Sequence, residues 1–371
     1  MLTLTKISIS LSLAINLHGQ AMFFGGNGSV ANVYLHTRSL TIDHTQAGAT
    51  NSTNFPLLLQ ATEADWAVVG SGGTIQNTVN QTGGSYTSTI PADMIFTTDS
   101  GCTTPVAGWE FESYTTTTGA LKVWINVATV SHTSDTVIYT CYDNASVSTQ
   151  QMTTSATWNT NFVGVFHMPN GSALSGKDSS TQGNNGTLVN SPSAQTGQVD
   201  GAGGFLTSSR IDMGKTGFVS GNSARSVALW FNKNSASTNV LFGIGTAATN
   251  KMFGAFVLNT GVLTFWNDNA DTATSLTVTQ NGTVWYRLWV VYDGTVVHVY
   301  ANGTDILDHT QSLSSTDLGG ASIGGFAANT SLTGIEDEFQ VIVTNVSADW
   351  ITLDYNNQKA SSTLITIGSE T

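Results

Sequence analysis

The chain has 371 residues and a formal net charge of −13, because 24 Asp and Glu outnumber 11 Lys and Arg. This acidity leaves no basic surface for a nucleic-acid backbone or an anionic membrane, and no apolar run reaches the roughly 18 residues of a membrane span. We therefore expect neither nucleic-acid binding nor membrane insertion. Charged residues amount to only 9%, while 9 Trp, 9 Tyr and 16 Phe argue against disorder and favour β-sheet.

The first 33 residues allow two interpretations. Lys6 precedes a mildly apolar stretch that ends in HGQA at residues 18–21, as a cleaved export signal would. Residues 7–18 also alternate apolar and polar side chains, as a half-buried strand would. Residues 1–33 are therefore either an N-terminal strand or a signal segment, and both interpretations stay open.

Short alternating runs between turn signals follow along the rest of the chain. Four of them are predicted strands: residues 123–127, 137–142, 226–231 and 285–292. Asp293-Gly294 and Asn302-Gly303 suit the positive φ values of type I′ hairpin turns, so residues 285–307 should form three consecutive antiparallel strands. No segment of a dozen residues keeps a helical apolar period, which predicts an all-β sandwich or barrel with almost no helix.

Six short motifs occur in order in the first half of the chain. They are RSLTI (38–42), NFPLL (54–58), DMIFTTD (93–99), WEFE (109–112), VWI (123–125) and YDN (142–144). In this order and spacing, residues 34–150 resemble an uncharacterised β-domain family that often precedes jelly-roll modules in secreted bacterial and phage proteins.

A second set of motifs begins at Trp158. It comprises VGVFHM (163–168), DSS (178–180) with GNNGT (183–187), VALWF (227–231), the meander at 285–303, GIEDEF (334–339) and SADWI (347–351). This part resembles the laminin-G-like, concanavalin A-like jelly roll, whose last strand is usually followed by a turn like SADWI. Together the two resemblances imply an all-β chain of two packed β-sandwich domains, residues 34–150 and 156–371, the second a concanavalin A-like (laminin-G-like) jelly roll.

Two groups of acidic residues are candidates for glycoside hydrolysis, which needs two carboxyl groups about 5–9.5 Å apart. Glu110 and Glu112 would project from one face of a strand, but alternating Glu is also typical of a solvated strand face, which is the arrangement we expect. Glu336 and Glu338 should share one face with Asp337 opposite them, unlike the spaced acid pair of jelly-roll glucanases. We predict that the protein is not an enzyme and has no catalytic residues.

The loop that starts at Asp178 is a candidate site for a structural calcium ion. Asp178, Asn184 and Asn185 offer the hard oxygen ligands that calcium prefers. Related jelly rolls often bind a metal through such a loop or near the terminal acidic strand, so Asp337 is the predicted fourth contributor. Turns capped by side chains explain the same loop residues equally well. Calcium is the one cofactor the sequence suggests.

Three further residues have an ordinary structural interpretation. Cys102 lies in a turn and Cys141 in a strand, and either one disulfide in an oxidising compartment or two free thiols would fit. His167 lies in an apolar strand, where a hydrogen-bonded core histidine is expected rather than a metal ligand.

Sugar recognition has one local candidate, at residues 266–271. Trp266 would supply an aromatic platform, and Asp268, Asn269 and Asp271 would supply polar groups for hydroxyls. The alternative is that Trp266 packs on the sheet and the loop only turns.

The resemblance to jelly-roll modules implies surface exposure and binding more often than catalysis. We predict a non-catalytic extracellular or virion-surface binding or adhesion protein that recognises glycan or another surface ligand through jelly-roll loops. A structural component of an appendage, phage tail or coat is the alternative, and a glycoside hydrolase is the least favoured. Self-association is compatible with the first two.

Overall fold

The computed structural model describes residues 33–169, 171–206, 208–326 and 331–371, together with the backbone of Asn16–Leu17 and Gln20–Ala21. Those two segments, β1 and β2, pair antiparallel. The other residues of the segment 1–33, for which the sequence left an export signal or a strand open, lie outside the described residues. Residues Tyr34–Thr371 form one unit and Met1–Val33 another.

Strands are the dominant regular secondary structure of the unit Tyr34–Thr371, so the fold is all-β, as predicted. Before residue 150 the strands are β3 His36–Ile42, β4 Ser52–Thr62, β5 Thr78–Asn80, β6 Thr89–Pro91, β7 Ile95–Thr97, β8 Trp109–Thr115, β9 Ala120–Val130 and β10 Thr136–Tyr142. After residue 160 they are β11 Phe162–Phe166, β12 Thr187–Val189, β13 Ser193–Thr196, β14 Gly201–Phe205, β15 Arg210–Asp212, β16 Arg225–Lys233, β17 Asn239–Gly245, β18 Met252–Val257, β19 Val262–Trp266, β20 Thr272–Thr277, β21 Tyr286–Tyr292, β22 Val296–Ala301, β23 Thr304–Thr310, β24 Gly320–Ile323, β25 Gly334–Ile342 and β26 Ile365–Ile367. The described helices are α1 Ala348–Gln358 and the 3₁₀ turns His44–Gln46, Ala64–Trp66, Val69–Ser71 and Thr154–Thr157.

The first sandwich consists of two antiparallel sheets with the order β4-β9-β8 and β26-β3-β10-β7, and the pair β5-β6 accompanies them. Both sheets contribute alternate side chains to one core, as half-buried strands do. Its members include Leu40, Phe55, Phe96, Phe111, Val123 and Ile138. Cys102 and Cys141 form a disulfide with their Cα atoms 6.1 Å apart, which decides between the two alternatives left open by the sequence.

The second sandwich has two larger antiparallel sheets. Within the described ranges, one has the order β13-β14-β25-β16-β21-β22-β23, with β11 also paired to β25, and the other has the order β12-β15-β24-β17-β18-β19-β20. Apolar side chains of both sheets form a shared core that includes Val227, Leu229, Phe231, Phe242, Phe253 and Phe265. The two sheets therefore stabilise each other by burying their facing sides.

The predicted meander is confirmed, because β21, β22 and β23 pair consecutively. Asn302 and Gly303 have φ values of 50° and 77°, as a type I′ turn requires. The same prediction for Asp293-Gly294 is wrong at its first residue, since Gly294 has φ of 110° but Asp293 does not enter the positive region. Asp293 instead accepts hydrogen bonds from the backbone N–H of Thr295 and Val296, which closes a three-residue loop.

Helix α1 corrects the prediction that SADWI forms only a turn. Ser347 caps the helix, because its Oγ accepts a hydrogen bond from the N–H of Trp350 at 3.2 Å. Ile351 and Leu353 are buried in two different apolar clusters, and Asp354, Asn357 and Gln358 are buried as well. A helix buried on several sides, partly through polar residues, has no apolar stripe for a periodicity search to find. No α-helix of the described residues is long and apolar enough to cross a membrane.

The C-terminal residues return to the first sandwich. β26 pairs with β3, and Leu364 lies in the core of the first sandwich. The predicted second domain, residues 156–371, therefore includes a strand that is hydrogen-bonded to the first region. The domain boundaries themselves stay a prediction.

Candidate functional site

Five titratable side chains are completely buried where strand β8 meets strands β11 and β25 and the residues that flank them. They are Glu110, Glu112, His167, Asp337 and Glu338, each 0% exposed, and we call them the buried cluster. Trp124 and Trp158 also lie here, in an apolar cluster that joins residues of both sandwiches. The outer face of β8 is therefore covered by the second sandwich.

His167 lies at the centre of the buried cluster. Its Nδ1 is 2.9 Å from both carboxylate oxygens of Glu338 and 3.9 Å from Glu112 Oε2, while its Nε2 is 3.8 Å from Glu110 Oε2. The rings of Trp124 and Trp158 pack against the imidazole with centroid distances of 5.5 and 5.3 Å. His167 is thus a buried hydrogen-bonded histidine, as predicted, but its partners are carboxylates.

The predicted exposure of Glu110 and Glu112 is wrong. The indole Nε1 of Trp158 donates to Glu110 Oε2 and that of Trp124 donates to Glu112 Oε2, both at 2.9 Å. Glu110 Oε1 also accepts from the Ser179 hydroxyl at 2.7 Å. Alternation of apolar and polar residues along a strand indicates that its two faces differ. It does not indicate whether solvent or a second sandwich covers the polar face.

Burial and neighbouring charges shift the proton affinities within the buried cluster. Burial, followed by the charge of Glu338, raises the pKa of Glu112 well above its usual value, and the same two causes raise the pKa of Asp337. Burial alone would lower the pKa of His167, but Glu338 and Glu110 outweigh it and raise that pKa well above its usual value. Burial alone would raise the pKa of Glu110, but the imidazole of His167, whose Nε2 is 3.8 Å from Glu110 Oε2, and the hydrogen bonds from Ser179 and Trp158 lower it. These directions favour the charged forms of His167 and Glu110 and the neutral forms of Glu112 and Asp337.

The predicted arrangement of the terminal acids is also wrong. The register of β16 and β25 shifts between Ala228 and Trp230, and Glu338 adopts a φ of 50°. This bulge brings Asp337 and Glu338 to one side, where the charge of Glu338 contributes to the raised pKa of Asp337. Glu336 is buried elsewhere, and its burial raises its pKa well above the usual value.

A polar groove of about 590 Å³ lies directly over the buried cluster. Three segments line it: residues 82–84 of the first sandwich, residues 150–155 between the sandwiches, and residues 177–185 of the second. Its floor is formed in part by Gly84 and Ser179, and Ser179 donates its hydroxyl proton to Glu110. Nothing in the local sequence predicted this groove, since its walls come from segments far apart in the chain.

Gly84 is required by the close approach of the groove floor to the buried cluster. It has a φ of 66°, and a Cβ atom there would lie 2.1 Å from Glu110 Oε1. The next residue, Ser85, donates its backbone N–H to the same oxygen at 3.0 Å. A side chain at residue 84 would push the loop off the carboxylate.

The predicted calcium ligands serve other contacts. Asp178 accepts hydrogen bonds from the backbone N–H of Val165, Ser180 and Asn184, so its carboxylate closes the turn. The Asn184 side chain bonds the backbone of residues 163 and 216, and Asp337 Oδ2 accepts from the N–H of Val199. The calcium site stays a prediction.

Trp266 does not present the exposed ring that a sugar platform needs. It is 6% exposed and packs edge-on against Phe326 and Phe256. The N–H of Asn267 donates to Asp271, and the amide of Asn269 donates to Thr249, so this loop is held by its own polar groups. A ligand site at Trp266, Asp268, Asn269 and Asp271 stays a prediction.

Three groups of described side chains bring potential metal ligands within 4.8 Å of one another. One is the buried set Glu112, His167 and Glu338. The others, largely at the surface, are Asp43 with His44 and Asp135, and His298 with Asp305 and Asp308. Asp178 belongs to none of them.

No protein-family model matches the chain, and no curated protein sequence matches it. Among solved structures, domain 4 of AbnA, a GH43 extracellular arabinanase from Geobacillus stearothermophilus in complex with arabinotriose, is similar with a TM-score of 0.44 and 18% identity, covering 53% of this chain and 98% of that one. The binding domain of Paraclostridial Mosquitocidal Protein 1 has a TM-score of 0.42 and 14% identity, covering 53% and 52%. The binding domain of botulinum neurotoxin serotype C1 has a TM-score of 0.41 and 12% identity, covering 54% and 53%. The match thus spans about half the length of the two toxin chains, and at these scores it assigns no function.

Proposed function

We propose that the protein is a non-catalytic binding protein that holds a polyhydroxylated ligand, a glycan, in the polar groove. The observation that carries the proposal is the groove itself. Its volume of about 590 Å³ is in the range of small-ligand sites. Its walls offer the hydroxyls of Thr153 and Thr181, the side-chain NH₂ group of Asn185 and the ammonium of Lys177. Such groups donate to and accept from sugar hydroxyls.

The position of the carboxyl groups supports binding over hydrolysis. A glycosidase needs two carboxyl groups that reach the bond to be cleaved. Glu110, Glu112, Asp337 and Glu338 are each 0% exposed, and Ser179 and Gly84 separate Glu110 from the groove. The carboxyl groups of the buried cluster therefore make contacts within the protein interior and do not line the groove.

We further propose that the second sandwich is a laminin-G-like jelly roll and that the protein works outside the cytosol. The Cys102–Cys141 disulfide supports this location, because such bonds persist mainly in oxidising compartments. A cell-surface or virion adhesion role is the specific form of the proposal.

Binding of the full chain to a glycan array tests the proposal. The affinity for the best ligand is then measured for wild type and variants. Thr181→Trp places a large ring on the groove wall, and Lys177→Ala removes its ammonium group. We expect Lys177→Ala to weaken binding at least about tenfold, the loss that one hydrogen bond to a charged group accounts for. Thr181→Trp should weaken binding as well, because its ring occupies groove volume that the ligand needs. Lys251→Ala, at an exposed lysine outside the groove, is the matched control and should bind normally.

Three results would overturn the proposal. Loss of binding in Asn269→Ala with normal binding in both groove variants would place the ligand at the 266–271 loop. Absence of binding to every glycan tested would refute a carbohydrate ligand. Release of reducing sugar from a bound polysaccharide would refute a non-catalytic role.

A further inference from the structure

We propose that Glu112, His167 and Glu338 form a buried site for one divalent transition-metal ion, with Zn²⁺ as the first ion to test. Their ligand atoms all lie within 4.8 Å of one another. Nδ1 of His167 is 2.9 Å from Glu338 Oε1 and 3.9 Å from Glu112 Oε2. Ligand atoms bound to zinc at about 2.0–2.2 Å are about 3–3.5 Å apart, so small side-chain adjustments suffice.

Unsatisfied carboxylate oxygens are the second observation that points to a cation. Glu112 is 0% exposed, and Trp124 holds its Oε2, but its Oε1 has no hydrogen-bond partner. Asp337 shows the same pattern, since Val199 holds Oδ2 while Oδ1 has no partner. A buried carboxylate oxygen without a donor is costly, and a metal ion would satisfy it.

Glu110 supplies the support that a metal-binding histidine usually has. With a metal on Nδ1, the N–H at Nε2 of His167 faces Glu110 Oε2, which is 3.8 Å away. Trp158 and Ser179 hold Glu110 in this position. A carboxylate behind the imidazole fixes the ring orientation and the nitrogen that carries the proton.

The donor set distinguishes this site from the calcium site predicted for Asp178, Asn184 and Asp337. Calcium prefers oxygen ligands only, whereas one imidazole nitrogen with two carboxylates suits Zn²⁺, Mn²⁺ or Fe²⁺. Metal binding releases the proton of a ligand carboxyl group, so a bound dication would balance the carboxylate charges of Glu112 and Glu338 in the buried cluster. Because the site is buried, the ion has to enter during folding.

The experiment refolds the full chain from guanidinium and a chelator with Zn²⁺, Mn²⁺ or Ca²⁺, removes free metal and measures bound metal by mass spectrometry. We expect wild type to retain about one Zn²⁺ per chain and little Ca²⁺. Glu112→Gln keeps the size of the side chain and should retain at most about a tenth as much zinc, since it removes one anionic ligand. Asp135→Asn, in the surface group with Asp43 and His44, is the matched control and should retain zinc like wild type.

A second measurement on wild type keeps the test decisive if Glu112→Gln does not fold. Refolding with Co²⁺ should produce the visible absorption bands of a protein-bound cobalt ion, and zinc should raise the Tm with the logarithm of its free concentration. Wild type that retains no zinc and shows no cobalt bands would overturn the proposal, as would zinc lost in Asp135→Asn but kept in Glu112→Gln. None of these results depends on glycan binding.

Discussion

Arg287 carries a buried charge between helix α1 and the face of β21 that points away from the core of the second sandwich, and its contacts allow a quantitative prediction. Its guanidinium is 0% exposed, and Nε and Nη2 lie 2.7 and 3.2 Å from the two carboxylate oxygens of Asp354. Trp289 donates its indole N–H to Asp354 at 2.9 Å, and Gln358 donates to the other oxygen. This ion pair fixes helix α1 to strand β21.

Replacing Asp354 with Ala leaves the guanidinium buried beside no counter-charge. Two unit charges about 4 Å apart attract by about 4 kcal/mol at an effective dielectric constant of 20. Breaking a buried pair from one side typically costs about 3–5 kcal/mol. We therefore expect Asp354→Ala to lower the free energy of unfolding by about 4 kcal/mol.

Urea unfolding followed by tryptophan fluorescence measures this loss, and a variant that lacks both charges separates the loss of the counter-charge from the loss of packing. Arg287→Met combined with Asp354→Leu removes both charges and should lie within about 1–2 kcal/mol of wild type, since apolar pairs of similar size often replace buried ion pairs. The control is Lys251→Met, which breaks an exposed pair with Asp317 at 3.5 Å and should cost at most about 1 kcal/mol. A loss below about 1 kcal/mol in Asp354→Ala would refute the reasoning, because the pair would then behave as a solvated one.

Two further predictions concern the disulfide and the start of helix α1. The Cys102–Cys141 bond closes a loop with a sequence separation of 39. Replacing both cysteines with Ala should therefore lower the free energy of unfolding, measured in urea, by about 4 kcal/mol. An unchanged free energy of unfolding in both this variant and the reduced wild type would contradict the prediction. A hydrogen bond from the Thr50 hydroxyl at 2.6 Å, with backbone N–H groups of residues 49 and 50, holds the pKa of Asp349 below its usual 3.8. A carboxyl group whose pKa is lowered by folding stabilises the folded state above its pKa in the unfolded chain, and this stabilisation is lost as the pH falls through its pKa in the folded protein. The stability advantage of wild type over Asp349→Asn should therefore shrink below about pH 4. An advantage that is equal at pH 7 and pH 3 would contradict the assignment.

Local patterns predicted the strands well because strands and tight turns are encoded by neighbouring residues. The meander β21-β22-β23 follows from alternation and from the Asn302-Gly303 turn, whose geometry needs only those two residues. Helix α1 escaped prediction because its buried faces are defined by partners distant in sequence, such as Arg287 for Asp354. A search for apolar residues at helical spacing detects a helix with one apolar face, and it does not detect a helix that is held by polar contacts.

The candidate site was less predictable for the same reason. The motif WEFE showed two acids on one strand face, but their burial depends on Trp158 and Ser179, which come from the second half of the chain. One signal was available. The chain has 9 Trp and only 9% charged residues. Buried indole N–H groups need hydrogen-bond acceptors, so the few acidic residues nearest to Trp-rich segments are the natural candidates for buried acceptors.

Glu110 links the groove to the interior and thereby determines how rigid the groove is. Its Oε1 accepts from the hydroxyl of Ser179 in the groove floor and from the backbone N–H of Ser85, the residue after Gly84, and its Oε2 accepts from Trp158. A loop held by charge-assisted hydrogen bonds to a buried carboxylate loses little conformational freedom when a ligand arrives. Gly84 approaches the same oxygen too closely for any side chain, so the floor packs directly on the buried carboxylate. The groove is therefore shaped by the packed core beneath it, although its walls are loops.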